Sequence, residues 1–148
     1  MSSAIGSKFK VTVFGESHGP AIGAVIDAPP AGYKLDMDSI LTQVARRAPG
    51  QDASATPRKE TDIPEFLSGM LDGVTTGAPL GFIIRNADHR SHNYDNIAVR
   101  PRPSHADYAA NVRFGGYNDV RGGGNFSGRL TAPLTVAGSI AREILKAH

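Results

Sequence analysis

The sequence predicts an α/β fold in which antiparallel strands pack on long helices, and three observations carry that reading. Phe9, Val11 and Val13 alternate with polar residues, and a second apolar run at 21–26 follows the hexapeptide GESHGP, a pattern of two strands joined through a tight connection. Leu130, Leu134, Ala137, Ala141, Ile144 and Leu145 recur at helical spacing from about Gly128 onward, with Pro133 tolerable near the first turn. At 148 residues and 40% apolar, the chain suits one globular domain with a continuous core.

The remaining elements follow in order. Asp36 or Asp38 can cap a helix that places Ile40, Leu41 and Val44 on one face, ends at Ala48 before Pro49, and delivers Arg46 and Arg47 in its last turn. Residues 51–62 hold five charges, a proline and no large apolar side chain, so they read as an exposed loop. Two strands are expected at 65–71 and 80–85 around the turn-rich GVTTGAP, followed by a polar loop over 86–103. Ser104 then caps a short helix running from His105 towards Arg113.

Composition removes several function classes. The formal charge of +2 lacks the dense basic stripe of a general nucleic-acid binder. With no cysteine, disulfides, thiolate metal sites and cysteine nucleophiles are excluded. The first residues lack a signal-peptide core and no run is long and apolar enough to span a membrane, so a cytoplasmic protein is the default expectation. Eleven of the sixteen basic residues are arginine, and seven of these lie between Arg85 and Arg129 with no Lys or Glu among them. Arginine presents a planar fork of donors suited to phosphate or carboxylate, which favours anion recognition; pairing with Asp88, Asp95, Asp107 and Asp119 is the structural alternative.

Three segments bear chemistry. GESHG sets an acid, a hydroxyl and an imidazole between glycines, though neighbours on a strand face opposite ways, so Ser17 and His18 need not cooperate. RPRPSHAD places His105 at a helix start, where the local field disfavours an imidazolium and eases proton transfer; a surface histidine in a helix cap is the alternative. DVRGGGNFSGRLT combines three consecutive glycines with Arg121, Ser127 and Arg129 just before the long helix, an arrangement in which bare backbone and a guanidinium would face an anion. A glycine-rich turn that allows close packing is the alternative.

Taken in order, GESHG, RRAPGQ, TPRKETD, SGMLDGVTTGAP, IRNADHRSHNY, RPSHAD and RGGGNFSGRLT make the chain resemble the chorismate synthases along nearly its whole length. The resemblance implies a β-α-β sandwich of antiparallel strands on long helices. It implies a lyase that converts 5-enolpyruvylshikimate 3-phosphate into chorismate and phosphate by 1,4-anti elimination, with reduced FMN that undergoes no net redox change. By the same resemblance His18 protonates the departing phosphate, His105 serves the reduced flavin, and Ser17 belongs to a proton relay. Arg46, Arg47, Arg102 and Arg129 map onto substrate-binding arginines, and Ser127 and Arg129 onto the cofactor site. Full-length relatives are expected to be homotetramers, without nucleic acid, membrane or metal. The chain is expected to be the N-terminal portion of one such domain, lacking the C-terminal Arg-Ser-Asp-type motif and with little catalysis of its own; a non-catalytic flavin- or phosphate-binding module is the alternative. Where many members read RSSARET this chain has Asn125, Phe126 and Leu130, so no role is carried to those positions. Ser104 stands where glycine is common.

Overall fold

A computed structural model describes residues 3–47, 61–86 and 100–147. The order of elements is β1 (Ala4–Ile5), β2 (Lys10–Gly15), β3 (Ala21–Asp27), α1 (Met37–Arg47), β4 (Glu65–Ser68), β5 (Met70–Leu71), β6 (Val74–Thr75), β7 (Leu80–Arg85), α2 (Asp107–Arg113) and α3 (Thr131–Lys146). Two short 3-10 segments, Arg121–Phe126 and Gly128–Leu130, lead into α3.

The hairpin read from the alternating run forms between β2 and β3, with Val11 opposite Ile26 and Val13 opposite Ala24. β7 pairs antiparallel with the other side of β3, setting Ile22 against Ile84, Ala24 against Phe82 and Ile26 against Leu80. The sheet order is β1-β2-β3-β7-β4. Because side chains alternate across a sheet, these paired residues all reach one face. There they form the core with Val136, Ala137, Ile140 and Ile144 of α3 and Ile40 and Val44 of α1. On the opposite face Phe14 lies over Gly23, where an added Cβ would come within 2.6 Å of its ring.

Helix α3 packs on β2 and β3, and α1 packs on α3, giving an antiparallel sheet covered by a helical layer, as the α/β reading expects. Asp36 is the residue that caps α1: its Oδ1 accepts the Ser39 N–H at 3.0 Å. The two helices are also joined through Ser39, whose Oγ donates to Glu143 Oε1 at 2.9 Å and accepts from Arg142 Nη2 at 2.9 Å.

Four expectations need correction. The stretch expected as one strand at 65–71 is broken at Gly69 into β4 and β5, and β5 pairs with β6 as a small hairpin across Asp72 and Gly73. The buried side of α3 runs through Ala132, Pro133, Val136, Ala137, Ser139, Ile140 and Ile144, while Leu134 and Leu145 stay exposed, so the inward stripe is rotated from the leucine pattern. Ser104 caps nothing. It sits at φ 62°, and α2 begins three residues later with no side-chain cap. The expected loop 51–62 lies outside the described residues up to position 60, but Asp62 at its end is fully buried. Likewise 87–99 lies outside them, whereas Asn86 is 5% exposed.

Candidate functional site

The β2–β3 connection brings Ser17 and His18 inward rather than presenting them on a strand. Both are buried, and His18 Nδ1 lies 3.2 Å from Ser17 Oγ. The two side chains therefore do meet, because residues 16–19 form a turn and the alternation rule for strands does not apply there. The turn is closed by Gly19 N–H donating to Glu16 C=O at 3.1 Å.

The glycine-rich segment folds directly against this turn. Ser17 N–H donates to Gly124 C=O at 3.1 Å, and Asn125 Nδ2 donates to Gly15 C=O at 3.0 Å. Gly122, Gly123 and Gly124 all have positive φ, a run that residues with a Cβ rarely adopt. A Cβ on Gly122 would fall 2.4 Å from both Nδ1 and Cε1 of His18 and 2.9 Å from Ser17 Oγ. A Cβ on Gly124 would instead meet the Asp119 carbonyl, so close packing on the histidine explains Gly122 alone.

From the far side the turn is held by Asn86. Its Nδ2 donates to the carbonyls of Glu16 (3.1 Å) and Gly19 (2.8 Å), and its backbone N–H donates to Pro20 C=O at 3.1 Å. Asn86 Oδ1 accepts from Arg129 Nε at 3.1 Å. Arg129 in turn donates through Nη1 to Asp62 Oδ1, and the other oxygen of Asp62 accepts from Arg47 Nη1 at 2.5 Å. Arg47 Nε reaches Thr131 Oγ1 at 3.0 Å. A continuous network therefore runs from the Ser17–His18 turn to the end of α1 and the start of α3. One buried carboxylate lies between two guanidiniums.

The other arginines divide differently. Arg102 grips Asp107 through Nε (2.8 Å) and Nη2 (2.9 Å), and Arg121 grips Asp119 through Nε (2.9 Å) and Nη2 (2.7 Å). For these two the pairing alternative is what the fold uses. Each clamp holds its carboxyl well below the usual range: the Asp107 pKa falls to about 2 through its hydrogen bonds to Arg102, and that of Asp119 to about 2 through those to Arg121. Glu16 is pushed the other way, first by burial and then by its hydrogen bond to Asp119. Arg46 is exposed and donates to Gln43 Oε1 at 2.9 Å; with Arg47 and Arg142 it borders an open cleft of about 360 Å³ between α1 and α3.

His105 is exposed and lies immediately before Ala106, the residue that precedes α2, rather than inside the helix. Ser127 Oγ accepts the Arg129 N–H at 3.2 Å and so caps the 3-10 turn before α3. The divergent positions have packing roles: Asn125 ties to Gly15, Phe126 meets Phe114 at 5.9 Å between ring centroids, and Leu130 packs on the core. Residues that sequence reasoning missed are Asp62 and Asn86. The available signal was Arg129 itself, since a guanidinium that becomes buried requires a carboxylate and a carbonyl oxygen nearby.

A family model described as chorismate synthase matches residues 9–148. The chorismate synthase of Christiangramia forsetii is 53% identical over 144 residues, covering 97% of this chain and 40% of that protein. That of Polynucleobacter asymbioticus is 51% identical over 146 residues, covering 99% of this chain and 39% of that protein. That of Korarchaeum cryptofilum is 46% identical over 141 residues, covering 95% and 39% respectively. A solved structure titled "Crystal Structure of Chorismate Synthase" superposes with a TM-score of 0.65 at 24% identity, over 93% of this chain and 33% of that one, and supports the fold. The chain spans about 40% of the length of the curated relatives it matches. With the model matched over nearly all of the sequence and these relatives at about half identity, the chain belongs to the chorismate synthase family.

Proposed function

We propose that this chain supplies part of the active site of a lyase that converts 5-enolpyruvylshikimate 3-phosphate into chorismate and phosphate, with reduced FMN as cofactor and a homotetramer as the working assembly. The observation that supports it most directly is the Ser17–His18 pair, buried in a turn that glycines hold on one side and the Asn86–Arg129–Asp62–Arg47 network on the other.

The substrate carries a phosphate and two carboxylates, so its binding requires cations that are fixed before it arrives. Arg47 and Arg129 meet that need, because each guanidinium has five N–H donors in a rigid fork and Asp62 sets the orientation of both. Arg46, exposed at the end of α1, contributes to the same anionic attraction, as does Arg102 within its clamp on Asp107. His18 donates the proton that the departing phosphate takes up, and Ser17 holds the imidazole. The immobile cationic surroundings stabilise charge on the leaving oxygen without reorganising.

Reduced FMN fits the described residues through His105, whose exposed imidazole is available to face a ring system, and through Ser127 at the start of the turn before α3. Arg129 lies just beyond Ser127 and fits this role less directly, since it is buried and engaged with Asp62 and Asn86. When bound, the flavin supplies the electron density that promotes loss of phosphate; the protein supplies binding, orientation and the proton.

The test is anaerobic phosphate release from 5-enolpyruvylshikimate 3-phosphate by a family-length protein carrying this sequence. Release that requires reduced FMN and yields chorismate supports the reading. Absence of release, or release indifferent to FMN, overturns it.

A further inference from the structure

Asn86 bonds to both halves of the proposed site. The β3–β7 ladder ends with Ala21 opposite Arg85, and one step further Asn86 N–H donates to Pro20 C=O at 3.1 Å, so the sheet register sets Asn86 beside the turn at 16–19. Its Nδ2 donates to the carbonyls of Glu16 at 3.1 Å and Gly19 at 2.8 Å, the two residues that bracket Ser17 and His18. Its Oδ1 accepts from Arg129 Nε at 3.1 Å. We propose that Asn86 is a positioning residue for the elimination: through one planar amide it fixes the turn that carries His18 relative to the guanidinium of Arg129. This rests on the proposed roles of His18 and Arg129 and adds the residue that sets their spacing.

The chemistry of the three partners fixes which way the amide points. Carbonyl oxygens only accept and a guanidinium only donates, so Nδ2 faces the turn and Oδ1 faces Arg129. Both N–H donors of the amide are then spent on the turn. At 5% exposure Asn86 has little water to compete for these bonds, so they hold a geometry instead of exchanging with solvent. Aspartate has the same shape and still accepts from Arg129, but it presents oxygen instead of N–H to Glu16 and Gly19. Serine is shorter by an atom and cannot span the three partners at once.

Each half is also anchored on its own side. Asp62 holds Arg129 from within the network, and Gly124 C=O accepts Ser17 N–H from the glycine-rich segment. Holding the turn alone would need only the bonds to Glu16 and Gly19. The bond from Arg129 makes the same amide a bridge between the anion-binding guanidinium and the proton donor. Two groups that act on one substrate must keep one spacing, and an error in that spacing weakens proton transfer in the transition state while leaving both groups present. No proton passes through the amide; its part is geometric.

The test is kcat per folded molecule in a family-length protein carrying this sequence. Asn86→Ser should lower it by about tenfold or more. Asn86→Asp should lower it at least as far, since the donors are lost although the shape remains; full kcat in Asn86→Asp would overturn the proposal. In a His18→Ala background, Asn86→Ser should lower the residual rate by less than about threefold, because the group it positions is gone and the two effects do not add. The same factor in both backgrounds is the mark of a merely structural role and overturns the proposal. If the variants do not fold, hydrogen exchange of the Asn86 carboxamide, followed by ¹⁵N NMR on the unsubstituted 148-residue chain, gives the answer. Protection of about tenfold or more over an exposed asparagine is expected, and exchange at the exposed rate overturns the clamp. Full turnover in His18→Ala would overturn the donor role and this inference with it. Loss of turnover in His18→Ala with kcat unchanged in Asn86→Ser would overturn this inference alone.

Discussion

Asp62 joins Arg129 to Arg47: one oxygen of its buried carboxylate accepts from Arg129 and the other from Arg47. Removing the carboxylate takes away the buried partner that both guanidiniums share. Asp62→Ala is expected to destabilise the chain by about 3–5 kcal/mol in urea unfolding, because breaking a buried ion pair strands the remaining charge. A loss below about 1 kcal/mol, the range of exposed pairs, would show that the network is not structural.

Ser104 provides a test in which the sign of the effect decides. At φ 62° its Cβ is strained in the left-handed region, so Ser104→Gly should stabilise the chain by about 1 kcal/mol or less. Were Ser104 a helix cap, the same change would instead be mildly destabilising and Ser104→Ala would cost about 1 kcal/mol. Chemical denaturation of both variants separates the two cases.

Acid should unfold the chain in a defined window. Asp107 and Asp119 have folded-state pKa values lowered to about 2 from an ordinary 3.8, so their contribution is fully present above about pH 4 and is lost as pH falls towards 2. Glu16 has the opposite sign: its raised pKa means the folded state binds the proton more tightly, and stability declines as pH rises through its titration. Stability measured from pH 2 to 7 should lose part of its acid limb in Asp107→Asn. Glu16→Gln should remove the decline on the other side. Unchanged profiles in both variants would contradict these assignments.

The rotated face of α3 is equally testable. Ile140 is completely buried and Leu145 is 73% exposed. Ile140→Ala should cost about 2–5 kcal/mol, and Leu145→Ala should stay within about 0.5 kcal/mol. Equal costs would restore the stripe read from the leucines.

Much of the fold was legible because its elements obey local periodicity. The alternation at Val11 and Val13, the Asp36 cap and the shared buried face of Ile40 and Val44 on α1 all depend on residues close in sequence. The leucine stripe misled because Leu134 and Leu145 are apolar yet face outward, and periodicity does not say which side the sheet occupies. The site was legible in its motifs and not in its wiring. Asp62 and Asn86 lie in polar stretches that read as solvent-exposed, and only the tertiary approach of Arg129, 67 and 43 residues away respectively, buries them. Ser17 and His18 cooperate because their turn escapes strand alternation, a consequence of Gly15, Gly19 and Asn86 together.

His18 as the proton donor is the centre of the proposed elimination. The most direct test is the rate of phosphate release from 5-enolpyruvylshikimate 3-phosphate with reduced FMN, comparing a family-length protein carrying this sequence with its His18→Ala variant. A fall of about 10²-fold or more in kcat, the usual size of a general-acid contribution, is the predicted result. Turnover that survives His18→Ala undiminished would contradict it.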